Sequence, residues 1–311
     1  MSITVVGSIA FDGVKTPFGE RERMLGGAAT HFALAASFFD EVRVVGPVGD
    51  DFGSEEMAIL ETRGTRTDDV ARVAGGKTFF WKGEYGWDLN SRETLDTQLN
   101  VFETFQPSLS TASRESEVLF LANIQPGLQH GVLEQCQGAS FTALDSMNLW
   151  IEIAKDELLE VIGRVDCVVL NDTELRQLTE APNLVSAARQ VLKLGPSVVV
   201  AKQGEYGAAL ITEDSFFALP AYPLETVVDP TGAGDSFAGG FVGYVARHLD
   251  DGLDDSLLRR AMVYGTAIAS HNVEEFGTER VARLTEAEID ERARSIKQIT
   301  DFEFEDVKEN A

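Results

Sequence analysis

The sequence is poor in cysteine and in long apolar runs. Its 311 residues include only two cysteines, Cys136 and Cys167, so a disulfide framework is not indicated. No apolar run is long enough to span a bilayer. The first residues, MSITVVGSIAFDG, lack the basic segment and the long apolar segment of a signal peptide. We therefore expect a cytoplasmic protein without a membrane partner.

Positive charge is also scarce, because 26 lysines and arginines face 51 acidic residues and leave a net charge of −25. Nucleic acids and anionic membranes attract basic patches, so this balance argues against both as partners. A polyanionic substrate would have to be bound by a local group, such as a metal ion or oriented backbone amides. The low lysine content and the acidic tail DFEFEDVKEN suit either a high-salt cytoplasm or a merely acidic protein.

The chain alternates short apolar runs with helix-like stretches. ITVVGS, VRVVGPVG, EVLFLAN, DCVVLND and SVVVAKQG are strand-like, and most of these strands are continuously apolar. Continuous apolar strands between helices indicate a mostly parallel sheet covered on both faces. We therefore predict one α/β domain over residues 1–311. A capping box at Thr285 and Glu288 predicts the start of a last surface helix.

One region departs from this alternation. Residues 75–105 are rich in aromatic and β-branched side chains, with glycine turns and poor helical periodicity. We predict that they form a small β-rich lid outside the main sheet, with a contribution from residues 13–25. A plain β-meander that covers one sheet edge is the alternative.

The motif TGAGD is the strongest chemical signal. Gly232, Ala233 and Gly234 precede a helix-compatible stretch, so their amides and the helix dipole predict an anion hole for a transferred phosphoryl group. Asp235 lies in the first turn beside that anion. A carboxylate there makes sense as the base that takes a proton from an attacking hydroxyl. The alternative is that Asp235 only stabilises the helix N-terminus.

The stretch DPTGAGDSFAGGF resembles the C-terminal signature of the ribokinase-like (phosphofructokinase-B-type) carbohydrate and nucleoside kinases, and the likeness covers nearly the whole chain. The resemblance implies a three-layer α/β/α fold with a mostly parallel central sheet and a small β-rich lid. It also implies ATP-dependent transfer of phosphate to a hydroxyl of a sugar or nucleoside. Asp235 would be the base, residues 232–234 the anion hole, and Gly234 would also contact ATP.

Two further motifs would hold MgATP. In NDTEL, Asn171 and Glu174 lie about one helical turn apart, and their oxygens suit Mg²⁺ held through water. A helix cap explains the same pair, and both interpretations can hold together. In VVVAKQGEYGAAL, the resemblance implies that Lys202, Gly204 and Gly207 lie along the ATP phosphates. An ordinary β-hairpin is the alternative for that turn.

The acceptor site is implied by residues near the N-terminus. By resemblance, Asp12 would grip substrate hydroxyls, with Gly26 and Gly27 meeting the same ligand. His31 stands where ribokinase-type members carry asparagine, so ribose in particular is not predicted. It would donate to a hydroxyl, stack on a ring, or be a helix residue that faces solvent. Asn123, in LANIQPG, is a further candidate contact.

The stretch ASHNVEEFGTERV resembles the segment that closes the adenine pocket of these kinases, which implies that Asn272 contacts the nucleotide. In many members this segment also lends oxygens to a monovalent cation, so Asp229 and Thr231 would form a K⁺ site. A helix C-terminus followed by a loop is the alternative.

Three functions follow from these motifs. The first is an ATP-dependent kinase of a small sugar or sugar derivative. The second is a nucleoside kinase, in which Trp81, Tyr85 or Trp87 stacks on a base; these rings would otherwise pack the lid or a dimer contact. The third is a sugar-binding sensor without catalysis. The resemblance also implies a homodimer, because the lids of this family often pair across one, and the aromatic lid suits such pairing since an uncovered edge strand of that kind is a liability.

Overall fold

The computed structural model describes residues 1–302, so most of the acidic tail lies outside the described part of the chain. The strands are β1 (Ser2–Val6), β2 (Ala10–Thr16), β3 (Gly19–Gly26), β4 (Glu41–Val48), β5 (Arg66–Arg72), β6 (Phe79–Tyr85), β7 (Arg92–Gln98), β8 (Val118–Leu121), β9 (Phe141–Leu144), β10 (Cys167–Asn171), β11 (Val198–Lys202), β12 (Ala208–Ile211) and β13 (Phe216–Leu219).

Helices alternate with most of these strands. They are α1 (Ala28–Ala36), α2 (Ser54–Leu60), α3 (Thr111–Arg114), α4 (Pro126–Gln135), α5 (Asn148–Ile153), α6 (Lys155–Ile162), α7 (Asp172–Thr179), α8 (Leu184–Leu192), α9 (Ala233–His248), α10 (Asp255–Asn272), α11 (Glu279–Arg283) and α12 (Glu286–Thr300). The predicted capping box is present at the start of α12, where Thr285 and Glu288 each accept from the other's backbone amide.

The central sheet has nine strands in the order β13-β12-β11-β10-β9-β8-β1-β4-β5. All pairs from β5 to β11 are parallel, and only β12 and β13 join in antiparallel fashion. Strands β8 and β9 are buried at every residue, because helices cover both faces of the sheet. The predicted mostly parallel sheet is therefore confirmed.

Two apolar cores lie on the two faces of this sheet. On one face α1, α9, α10 and α12 bury a cluster that includes Phe32, Phe120 and Phe241. On the other face helices α4 to α8 bury a second cluster, which includes Leu170 and Ile162. Helix, sheet and helix thus form the three layers that the sequence predicts.

The second sheet, which we call the lid, consists of β2, β3, β6 and β7 in the order β3-β2-β6-β7. Its β2/β6 pair is parallel and its other two pairs are antiparallel. Both segments that the sequence assigns to the lid contribute strands. The sheet begins earlier than predicted, at Ala10, because Ala10–Asp12 already pair with both β3 and β6.

Helix α9, which begins at the TGAGD motif, is held tightly between α1 and α10. A Cβ at Gly239 would overlap the carbonyl of Phe32 in α1, and one at Gly240 would come within 2.9 Å of Gly265 in α10. The glycines of SFAGGF therefore allow close helix packing, which fixes where the start of α9 lies relative to the sheet.

The structure also describes both cysteines and the helices that could be considered as membrane spans. Cys136 and Cys167 are both buried and unpaired. Within residues 1–302, no helix combines the length and the apolar character needed to cross a membrane.

Candidate active site

The loop before α9 is anchored by a buried carboxylate. Asp229 is fully buried, and its two oxygens accept hydrogen bonds from the amides of Thr231 and Gly277, each at 2.9 Å. The loop is thereby tied to the segment that follows α10. Within residues 1–302 no basic side chain lies within ion-pair distance of Asp229, so its charge has no partner among the described side chains.

The start of α9 provides two free amides. Gly232 caps the helix in the left-handed conformation, with φ 73°. The amide of Ala233 donates to the Pro230 carbonyl at 3.2 Å and that of Ser236 to Gly232 at 2.8 Å. Among the described residues the amide of Gly234 has no acceptor, as expected for the first turn of a helix. Among the described residues the amide of Gly232 has no acceptor either, so the predicted anion hole has two open donors at a helix N-terminus.

His31 lies directly behind this loop and not at the surface. A Cβ on Gly232 would overlap the His31 ring, and only 2% of the His31 surface is exposed. The alternative that His31 faces solvent is therefore wrong, because α1 packs this side against α9, and its contact with the acceptor stays a prediction. Burial lowers the pKa of His31 to about 4, despite the opposing effect of Asp229. The imidazole is neutral at pH 7 as a consequence.

A buried polar network joins His31 to the loop through Asn272. The Asn272 Oδ1 lies 3.2 Å from His31 Nδ1 and accepts from Ser236 Oγ at 3.0 Å. Its Nδ2 donates to the Thr231 carbonyl at 2.8 Å. His31 Nδ1 is therefore the protonated nitrogen, and Nε2 is buried without a partner among the described residues. The structure places Asn272 in the support of the loop, and its contact with nucleotide stays a prediction.

Three neighbouring strands of the central sheet end beside this loop. Asp145 follows β9, Asn171 ends β10 and Lys202 ends β11, because parallel strands present their carboxyl ends at one edge. Lys202 Nζ forms an ion pair with Asp145 Oδ2 at 2.7 Å and lies beside Gly234. The sequence analysis missed Asp145, although its position after the apolar run FTAL is the signal that could have identified it.

Asp235 is a half-buried carboxyl in the first turn of α9. Burial raises its pKa, while the positive charges of Lys202 and Arg92 act in the opposite direction. Burial alone would lower the pKa of Lys202, but Asp145, Glu174 and Asp235 raise it. The raised pKa lets the Asp235 carboxylate accept a proton, and the nearby Lys202 ammonium stabilises its ionised form.

Asn171 and Glu174 form the capping box of α7. Asn171 Oδ1 accepts from the amide of Glu174 and Glu174 Oε2 accepts from that of Asn171, both at 2.8 Å. The capping alternative is thus correct as a description of the structure. The pKa of Glu174 is raised to about 7, chiefly by burial and also by Asp145, while the charge of Lys202 acts in the opposite direction.

The same pair fits Mg²⁺. Within residues 1–302, Glu174 Oε1 has no hydrogen-bond partner, and a nearby cation would relieve the cost of its burial. The described residues contain no group of three acidic, histidine or cysteine side chains in metal-binding arrangement. An ion held by few protein oxygens and several waters is the mode that Mg²⁺ prefers.

Asp12 faces the interior from the lid strand β2. Only 5% of it is exposed, and its pKa is raised to about 7 by burial and then by Asp229 and Asp235. A Cβ at Gly26 would overlap the Asp12 carboxylate, and Gly27 has φ 97°, so this stretch needs its two glycines. The structure thus brings Asp12 into the same acidic cluster as Asp235.

The remaining predicted contacts are Asn123, Gly204 and Gly207. The side-chain oxygen of Asn123 accepts from the indole Nε1 of Trp150 at 3.0 Å, so this oxygen is already engaged. Gly204 and Gly207 flank a tight turn after β11, with φ 57° and 102°. The tip of the lid reaches this turn, where Asn90 Nδ2 donates to Glu205 Oε1 at 2.9 Å.

Comparison with known proteins agrees with this geometry. A sequence model described as "pfkB family carbohydrate kinase" matches residues 3–283. The cytidine kinase of Thermococcus kodakarensis is 29% identical over 255 residues, which cover 79% of this chain and 89% of that protein. The ribokinase of Lactococcus lactis is 27% identical, with 92% of this chain and 98% of that protein covered.

Solved structures show the same fold. The nucleoside kinase of Methanocaldococcus jannaschii superposes with a TM-score of 0.77 at 21% identity, over 94% of this chain and 98% of that one. The Arabidopsis thaliana ribokinase complexed with ribose and ATP gives a TM-score of 0.74 at 20% identity, with the same two coverages. The ribokinase-like fold is therefore confirmed, and the chain belongs to the pfkB family of carbohydrate kinases, which are ATP-dependent phosphotransferases.

Proposed function

We propose that this ATP-dependent kinase of sugars or nucleosides phosphorylates a hydroxyl of a small sugar or sugar derivative, with Asp235 as the base. The observation that carries the proposal is the position of Asp235, a half-buried carboxyl in the same helical turn as the free amide of Gly234. Proton acceptor and anion site lie within one turn of α9. This is the arrangement that transfer of phosphate to a hydroxyl requires.

The proposed phosphoryl transfer breaks an O–H bond and a P–O bond and forms one new P–O bond. The acceptor hydroxyl gives its proton to the Asp235 carboxylate while its oxygen forms a bond to the γ-phosphorus of ATP. The bond between that phosphorus and the β,γ-bridging oxygen breaks, and ADP leaves with the electron pair. The amide of Gly234 and the Lys202 ammonium stabilise the negative charge on the transferred group. Asp235 later returns its proton to solvent.

The remaining groups have supporting roles. Asn171 and Glu174 would hold Mg²⁺, which supplies charge neutralisation on the phosphates when it is bound. Asp12 accepts hydrogen bonds from acceptor hydroxyls, because an ionised carboxylate offers two oxygens. Burial and the charges of Asp229 and Asp235 raise the pKa of Asp12 to about 7, and hydrogen bonds donated by acceptor hydroxyls would favour its charged form. Asn123, Gly204 and Gly207 stay predicted contacts of acceptor and ATP.

Replacement of the base tests this mechanism. Asp235→Asn should fold and bind ATP, but its turnover should fall by roughly 10²- to 10⁴-fold, because the amide cannot accept the proton. The measurement is ADP release in a coupled assay with the best acceptor from a panel of hexoses, pentoses, sugar acids and nucleosides. Asp250→Asn, an exposed substitution at the far end of α9, is the matched control. Turnover of Asp235→Asn near that of the wild type would contradict the mechanism.

A nucleoside is the second candidate acceptor. Trp81 is paired with Asp12 across β2 and β6, so the two side chains share one face of the lid, and a ring beside a hydroxyl-binding carboxylate suits a base next to a ribose. The relative from Thermococcus kodakarensis, a cytidine kinase, supports this candidate. Trp87 is 91% exposed, and the Tyr85 hydroxyl is bonded to Thr231, so Trp81 is the better stacking residue.

Trp81→Leu separates the two acceptor classes. If the acceptor is a nucleoside, this variant should raise its KM by roughly tenfold or more, in line with the energy of one stacked base. A free sugar should be affected little. The sensor alternative would be supported only if ligands raise the melting temperature of the wild type and no member of the panel is phosphorylated.

A monovalent cation and a dimer complete the proposal. The buried charge of Asp229, which lacks a cationic partner among the described residues, would be compensated by K⁺ beside Thr231. Activity that is equal in K⁺ and in tetramethylammonium buffers would rule this out.

Strand β7 is exposed along its whole length at the edge of the lid, which supports pairing with a second copy. Light scattering that gives a monomer mass would contradict the dimer.

A further inference from the structure

Arg92, the first residue of β7, belongs to none of the motifs read from the sequence. Its cross-strand partner is Tyr85, and its guanidinium carbon lies 5.2 Å from the centre of the Trp81 ring. Trp81 is in turn paired with Asp12. Arg92 therefore projects from the face of the lid that carries Asp12, toward the site and not toward the outer face.

The hairpin that carries Arg92 is docked on both halves of the site. Thr231 Oγ1 donates to the Tyr85 hydroxyl at 3.1 Å, which joins the lid to the loop before α9. Asn90 Nδ2 donates to Glu205 Oε1, which joins the hairpin turn to the turn after β11. Arg92 is the cross-strand partner of Tyr85 and follows Asn90 by two residues, so both attachments hold it near the site.

The two positive charges of the site differ in how they are engaged. Lys202 is already paired with Asp145 at 2.7 Å. Arg92 has no carboxylate within ion-pair distance among residues 1–302. Its charge nevertheless lowers the pKa of Asp12, Glu174 and Asp235, which belong to three different elements around the site. Arg92 is thus the cation at this site that remains available to an incoming anion.

We infer that Arg92 is a lid-borne catalytic residue that donates to the γ-phosphoryl group of ATP. The inference rests on the proposed function and adds to it a contact from the lid. A guanidinium offers several donors in a fixed plane, and it matches phosphate oxygens better than an ammonium does. In a chain with a net charge of −25, binding the triphosphate next to a cluster of acids requires such a cation.

The same guanidinium could instead bind an anionic group on the acceptor, such as a sugar phosphate or a sugar carboxylate. We favour the γ-phosphoryl group because the hairpin that carries Arg92 is attached to Thr231, in the loop before α9, and to Glu205, in the turn after β11, where the proposal places the phosphates. Measurements without an acceptor separate the two sources. Any loss of affinity seen there belongs to the nucleotide alone.

The test compares the affinities for Mg²⁺ with ADP and for Mg²⁺ with the non-hydrolysable ATP analogue AMP-PNP, measured by calorimetry. Arg92→Met should weaken AMP-PNP binding by roughly ten- to a hundredfold, the usual worth of a charge-assisted hydrogen bond. ADP binding should change by less than about threefold, since ADP lacks the γ-phosphoryl group. Arg92→Lys should restore part of the loss, which a merely structural role would not predict.

Lys15→Met is the matched control, because Lys15 is a lid cation whose partner Glu84 lies on the outer face. It should leave both affinities unchanged. Equal effects of Arg92→Met on ADP and AMP-PNP, or none on either, would overturn the inference. So would a normal AMP-PNP affinity combined with a raised KM for anionic acceptors only. If no acceptor is ever phosphorylated, the proposed function fails, yet the comparison of the two nucleotides still decides the role of Arg92.

Discussion

The two walls of the site are built differently. One wall, the sheet edge, carries Asp145, Asn171 and Lys202 at the ends of strands that are buried between two cores. The other wall is the lid, whose strand β7 is exposed at every residue. Among the side-chain hydrogen bonds that hold the lid to the rest of the molecule are Tyr85 to Thr231, Asn90 to Glu205, and Thr16 to the Val228 carbonyl.

This difference assigns different tasks to the two walls. Groups that must be placed within a fraction of an ångström are best held by strands and helices whose backbones are fixed by a core. Groups that meet variable acceptors can lie on a sheet with fewer attachments, because such a sheet can open and close. We therefore expect substitutions at the sheet edge to affect catalysis and folding together, and substitutions in the lid to affect binding and selectivity.

The largest effect is expected from Gly232→Ala, in the loop of the rigid wall. The left-handed conformation costs about 1–2 kcal/mol for a residue with a Cβ. That Cβ would also overlap the buried His31 ring, so the loop must move. A displacement of about 1 Å can cost roughly a hundredfold in rate, so activity should fall at least that far. Steady-state kinetics and chemical denaturation measure the two effects.

Gly252→Ala is a matched control for that substitution. Gly252 also has a positive φ, of 96°, but nothing lies within 4 Å of the position its Cβ would occupy. With ψ 144° its backbone is in a region that residues with a Cβ rarely adopt, so this variant should lose at least as much conformational energy without losing activity. If Gly232→Ala retained turnover within threefold of this control, the loop would not be as tightly constrained as its contacts with His31 indicate.

The second effect compares an ion pair in each wall. Lys202→Met leaves Asp145 buried without its partner, and removal of one member of a buried pair costs about 3–5 kcal/mol of unfolding free energy. The added substitution Asp145→Asn should recover part of this loss. In the lid, Lys15→Met removes the partner of Glu84 from an exposed pair and should change stability little. Urea denaturation of the wild type and these three variants tests this, and an equal loss in both walls would contradict the comparison.

The sequence predicts the first wall better than the second, for a physical reason. Gly232, Gly234 and Asp235 lie within four residues, so a local pattern is enough to predict an anion hole and a base there. Asn171 and Glu174 are similarly one helical turn apart. The fold was likewise predictable, because buried parallel strands read as continuous apolar runs.

The missed residues depend on tertiary structure. Arg92 and Asp145 are ordinary charged residues in sequence, and only the pairing of β6 with β7 and the order of β9, β10 and β11 bring them to the site. His31 is a second case, in which the sequence points to the residue but not to its surroundings. Its place after GGAAT was noted, but its burial against Gly232 follows from the packing of α1 on α9.

The smallest effect is expected from Asp12, and it appears as a dependence on pH. Its folded-state pKa is raised to about 7, above an ordinary value of 3.8, so the folded protein binds more protons than the unfolded chain between these values. Stability must then fall as pH rises from about 4 to 7, by at most about 4 kcal/mol for one such carboxyl. Asp12→Asn cannot lose a proton, so its unfolding free energy should decline less over this range. Urea denaturation of both proteins without ligands, at pH 5 and pH 7.5, measures the difference. Parallel pH profiles would show that Asp12 is not held in the acidic cluster, and the lid would then lie further from the sheet edge than its contacts indicate.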